Sequence, residues 1–101
     1  MKELSTNEKY AIVSILYQIM NADGIVHPKE EEYMNKVYVE LGINANDIEE
    51  IANMNNYMSQ NIIKQMSSSH RQYAQSLFES MAKSDGSIHP QEVAIIEQLF
   101  E

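Results

Sequence analysis

The octapeptide at positions 23–30, Asp23-Gly24-Ile25-Val26-His27-Pro28-Lys29-Glu30, returns 62 residues later as Asp85-Gly86-Ser87-Ile88-His89-Pro90-Gln91-Glu92. Five of its eight positions are identical, and a sixth exchanges Val for Ile. The flanks agree at the same offset. Upstream, Ile15 meets Leu77, Leu16 meets Phe78 and Ile19 meets Met81; downstream, Met34 meets Ile96, Val37 meets Leu99 and Tyr38 meets Phe100. A chain that repeats an apolar stripe, a D-G turn, a His-Pro step and a second stripe at both ends reads as one helix-turn-helix corner used twice.

The segments between and around the corners carry helical signals. Ser5 and Glu8 have capping-box spacing, and Ile12, Ile15, Leu16 and Ile19 fall at i, i+3, i+4, i+7, so a first helix is expected over 7–22 with Gly24 closing it as a C′ residue. Pro28 suits the first position of a second helix, where its missing N–H removes no bond, and Gly42 stops that helix after Met34, Val37, Tyr38 and Leu41. Asn44 to Asp47 offers a third start, before Ile48, Ile51 and Ala52. After the breaker cluster 53–56, a short helix over 57–66 is expected to bury Met58, Ile62 and Met66. The run Ser67-Ser68-Ser69 caps a helix over 70–84 with Ala74, Leu77, Phe78 and Met81 inward, and a last helix from Pro90 buries Ile96, Leu99 and Phe100. No segment alternates as a strand does. The fold class is therefore all-α: a compact bundle of about six helices, one domain over 1–101, with repeat units at about 7–42 and 69–101 and a helical connector at about 43–68.

Composition narrows the function. Seven scattered Lys and Arg against fifteen Asp and Glu give a net charge of −8, which argues against nucleic acid and leaves cations or a basic protein as partners. The absence of cysteine removes disulfide and thiolate chemistry and fits a reducing, cytoplasmic setting. The apolar run 11–17 is broken by Ser14 and is too short for a membrane span, and no signal peptide is read at the start. Seven methionines are read as flexible core filling.

The corners admit a purely structural reading. His27 is the N-cap, Pro28 the first helical residue and Glu30 the N3 position, where a carboxylate accepts from the cap's own N–H. Two features exceed that reading. Asp23 and Asp85 close helices at the negative end of the macrodipole, where a cation is preferred. Moreover Asp23, Glu30, Asp85 and Glu92 all continue or begin the apolar stripes of their helices, so four carboxylates lean toward the core with no recurring Lys or Arg to pair them. Carboxylates at a core edge are costly unless hydrogen-bonded, paired or coordinated, and a hard divalent cation is one economical answer. Aligned on Gly24, the motif matches the second half of an EF-hand loop, but Ile19, Met81 and Lys83 occupy early ligand positions, which excludes a standard EF-hand. His27 and His89 keep zinc, copper or nickel open as alternatives, behind calcium or magnesium. His70 falls outside the motif and receives no role, and Glu31, Glu32, Glu49 and Glu50 are read as solvated.

Two helical D-G-x-[IV]-x-x-x-E corners in a short, acidic, cysteine-free chain resemble the TerB-like, or tellurite-resistance, domain family, also seen at the start of some membrane-anchored J-domain co-chaperones. The resemblance rests on Ala22-Asp23-Gly24-Ile25-Val26 with Glu30 and on Ser84-Asp85-Gly86-Ser87-Ile88 with Glu92. It implies an all-helical fold with pseudo-twofold character, a metal site at the acidic corner residues, a link to stress response and no enzymatic activity. Ser84 and the two His-Pro steps depart from the family pattern.

The expected function is thus a small non-enzymatic module that binds a divalent cation through Asp23, Glu30, Asp85 and Glu92. The alternative is a protein-protein interaction domain whose corners are only helix caps, with Met54, Tyr57 and Met58 as an exposed docking surface. No nucleophile motif or phosphate loop supports an enzyme. Partner identity and oligomeric state are not encoded in any motif.

Overall fold

Local capping chemistry sets where the helices begin. The structure, a computed structural model, describes residues 3–22, 24, 27–84 and 89–100. They form six helices: α1 (Thr6–Asn21), α2 (Pro28–Leu41), α3 (Ala45–Ala52), α4 (Asn56–Lys64), α5 (Ser68–Ala82) and α6 (Pro90–Phe100), with no strand among the described residues. Ser5 Oγ accepts from the Glu8 N–H at 3.1 Å while Glu8 Oε1 accepts from the Ser5 N–H at 2.8 Å, a reciprocal box that opens α1. Asn44 and Asp47 repeat it at α3, at 3.1 and 2.9 Å. Asn55 and Ser67 accept from the N–H groups of Met58 and His70 and open α4 and α5. At the end of α2, Gly42 takes φ 69° and ψ 35°, and the Ile43 N–H reaches back to the Tyr38 carbonyl at 2.8 Å. That left-handed closure favours glycine because a Cβ there crowds the following carbonyl. Gly24 also has positive φ, 80°, but lies two residues beyond the Ala22 cap rather than one.

The core is organised about α1. Residues 11–16 are all buried, and the helix touches each of the other five. The expected stripe of Ile12, Ile15, Leu16 and Ile19 is fully inside, but Ala11, Val13 and Ser14 are buried too, so α1 is covered on nearly every side. Met34, Val37 and Leu41 of α2, Ala74, Leu77, Phe78 and Met81 of α5, and Ile96 and Leu99 of α6 complete one continuous cluster. Phe100 stays partly buried, its ring tilted against Phe78 at 6.0 Å between centroids. Tyr38 is likewise only partly covered. No described helix is long and apolar enough to cross a membrane.

The connector departs from expectation. In α4 the buried residues are Ser59 and Ile63, followed by Met66, whereas Met58 is 51% exposed and Ile62 half-buried. The inward face is one residue out of phase with the pattern of methionine and isoleucine. The physical reason is polar. Ser59 Oγ donates to Ser14 Oγ of α1 at 2.9 Å, and two small side chains let α4 approach α1 closely, the most extensive helix contact in the fold. In α3, Ile51 is buried, but Ile48 is 38% exposed and Ala52 lies outside.

Polar ties fix the remaining helices. The Tyr10 hydroxyl donates to Asp47, linking α1 to α3, and this bond is the main reason its pKa is pushed up to about 12 while the Asp47 carboxyl is held below its ordinary value. The Tyr73 hydroxyl donates to Glu40 at 2.8 Å, linking α5 to α2.

His70, given no role by its sequence context, is buried and holds Glu8 Oε2 through Nδ1 at 3.2 Å. Glu8 therefore closes the α1 cap with one oxygen and binds α5 with the other. Burial raises its pKa, but the Ser5 N–H and His70 outweigh that, and the net shift is downward.

Two outcomes follow. Ile63→Ala should cost about 2–5 kcal/mol in denaturant unfolding, and Met58→Ala under about 1 kcal/mol, the reverse of what the apolar pattern implies. Because the folded pKa of Glu8 lies below its unfolded value, its contribution is complete above the unfolded value of 4.5 and fades as pH falls through the folded one. Urea unfolding from pH 6 to 3 should accordingly show a shallower acid loss in Glu8→Gln than in the unsubstituted chain.

Candidate functional site

Each corner presents its second helix with a glutamate in the first turn. Pro28 fixes φ at the first position of α2, and the chain entering from His27 is extended, with φ −86° and ψ 140°. Glu30 thus falls at N3, one turn before Met34, and its side chain points along the buried stripe. The His27 N–H donates to Glu30 Oε1 at 3.4 Å, a long bond for a cap. Oε2 of Glu30 is buried and has no hydrogen-bond partner among the described residues. Glu92 takes the same place in α6, and both glutamates are fully buried, at 0% exposure. Glu31 and Glu32, on the outer face, are exposed as expected.

The two corners meet. The rings of His27 and His89 stack at 5.0 Å between centroids, with planes 15° apart. The sequence offered these residues as caps or ligands, and it held no signal that they touch. The contact joins position 27 to position 89, its counterpart in the repeat. Glu8 and His70 are separated by the same 62 positions.

Of the four carboxylates expected at the site, Glu30 and Glu92 are placed at the adjoining corners, and Asp23 and Asp85 lie outside the described residues. Val26, Gly86 and Ile88 of the repeated motif lie outside them as well. Among the described residues, no group of three or more His, Cys, Asp or Glu side chains is arranged to hold a metal ion. What the described residues provide is a fully buried glutamate in the first turn of each of α2 and α6, at corners joined by the stacked imidazoles, with one Glu30 oxygen left for a further donor or cation.

An all-helical module with a duplicated acidic corner is the class these features define. The family model for tellurite resistance protein TerB matches residues 1–53, and the chain belongs to that family. No curated protein matches it. The crystal structure of a protein of unknown function from Porphyromonas gingivalis W83 is similar in fold, with a TM-score of 0.77 at 21% identity, over 98% of this chain and 83% of that one.

The stack should behave as an energetic unit. A double-mutant cycle of His27→Ala and His89→Ala is expected to give a coupling of about 0.5–1.5 kcal/mol in thermal or urea unfolding, rather than additive losses.

Proposed function

We propose that this TerB-family chain is a non-enzymatic module that takes up a divalent cation between its two corners, through Glu30 and Glu92 with Asp23 and Asp85. The observation that carries this reading is the burial of two glutamates at corners joined by the His27–His89 stack, with Glu30 Oε2 lacking a hydrogen-bond partner among the described residues. A buried carboxylate oxygen without a donor is costly, and cation coordination removes that cost. An all-oxygen donor set of carboxylates favours calcium or magnesium over softer metals. The helix cap accounts for one Glu30 oxygen only, which is why a purely structural corner is the weaker reading. The bound ion would cross-link α1–α2 to α5–α6 and supply stability rather than chemistry. A place in the stress response, in a reducing cytoplasmic setting, is the physiological role that family membership and cysteine-free composition favour.

Chelator-stripped protein melted with calcium, magnesium, manganese or zinc tests the reading. Saturation at a hundredfold excess over Kd adds about 2.7 kcal/mol. In a chain of this size that is a rise of roughly 10 °C or more in Tm with the correct ion. The rise should vanish in the Asp23→Asn/Asp85→Asn double variant. Glu30→Gln should change sign with conditions: equal to or above the unsubstituted chain in chelator, because a buried charge is removed, and below it in the ion. A flat panel, with Glu30→Gln destabilising in chelator, would reduce the corners to helix caps.

A further inference from the structure

A second surface lies away from the glutamates. Residues of α1, α3, the start of α4 and Tyr38 of α2 enclose a groove of about 370 Å³ whose floor and walls include Val13, Tyr17, Tyr38, Ile48, Ile51 and Met54. Neither glutamate of the corners nor either stacked histidine lines it. Five large apolar side chains are exposed among the described residues: Tyr17, Val39, Ile48, Tyr57 and Met58. Of these, Tyr17 and Ile48 line the groove. Two of the five thus open onto one apolar groove, and exposed apolar surface of this kind marks a candidate interaction site. The outward turn of Ile48, unexpected from the apolar pattern, contributes to it.

Charge selects the occupant. All the lining residues come from 10–22 and 37–63. The first stretch carries no charged residue; the second carries Glu40, Asp47, Glu49 and Glu50 and no Lys or Arg. At about 100° per residue, Asp47 and Glu49 flank the Ile48 face of α3 on opposite sides. Lys9 stands near Asp47 at one end, but Glu49 and Glu50 make no ion pair among the described residues. An apolar trough rimmed by one sign of charge matches an amphipathic helix with an apolar stripe and Lys or Arg beside it. A second copy, itself at −8, is opposed by that field, and this chain has no clustered basic segment to fold back.

We propose that the groove between α1 and α3 docks a basic amphipathic helix of a partner protein, with Tyr17 and Ile48 as apolar anchors and Asp47 and Glu49, which flank the Ile48 face, as the rim that orients it. The probe is a fluorescein-labelled amphipathic peptide of leucine and lysine, with a leucine-and-glutamate peptide as control, titrated by anisotropy. The lysine peptide should bind and the glutamate peptide should not. Ile48→Ser and, separately, Tyr17→Ser should each weaken binding about tenfold, the loss of one anchor, with melts confirming the fold. Glu49→Gln should weaken binding and flatten its salt dependence, while Glu32→Gln on α2 should leave both unchanged. Absence of lysine-peptide binding, equal binding to both groove variants, or equal weakening by the α2 variant would overturn the proposal. The last two results would reduce the attraction to diffuse net charge.

Discussion

A helix buried on nearly all sides dictates the arrangement of everything around it. Residues 11–16 of α1 have no solvent face, so α1 cannot pack on one neighbour and stop. Covering it requires helices on every side, and α2 through α6 each touch it. Apolar burial supplies the driving force. Ser14 sits inside that apolar run, and its hydroxyl must be satisfied. Ser59 satisfies it, and in doing so selects the face that α4 turns inward. A single small polar contact thereby sets the exposure of Met58 and the packing of Ile63.

The corners are shaped by an opposite logic. Most of the core removes apolar surface from water, whereas the corners place two carboxylates where charge is expensive. Helix capping explains part of this, since an N3 glutamate is favoured by the cap N–H and the positive helix end. It does not explain full burial in both copies, because a cap is equally well made by a carboxylate half in water, as Glu8 and Asp47 show in α1 and α3. The corners are thus the place where the fold departs from minimal stability cost, as functional sites commonly do.

Local features were legible to the extent that their interactions are local. Ser5–Glu8, Asn44–Asp47 and the Gly42 closure each join residues at most five positions apart, and helix starts, stops and the stripes of α1, α2, α5 and α6 follow from such local contacts and from periodicity. Where a helix is short, the apolar pattern gives too few turns to fix its phase. Asn56–Lys64 has only nine residues, and Met58 and Ile62 were as plausible inward as Ser59 and Ile63. A buried serine defeats a reading that ranks residues by hydrophobicity alone. Glu30 and Glu92 were legible as core-edge carboxylates because their helix position is fixed by Pro28 and Pro90 one turn before the stripe.

The helices, most of their caps and the identity of the two corners can be read from the chain, because each depends on hydrogen bonds and side-chain periodicity within one or two turns. Tertiary structure alone decided that His27 stacks on His89, that Glu8 binds His70, and that Ile48 and Tyr17 open onto one groove. Those contacts join residues tens of positions apart, and their geometry depends on how five helices share the surface of α1. Periodicity reports which side of a helix is covered; it carries no information about which neighbour covers it.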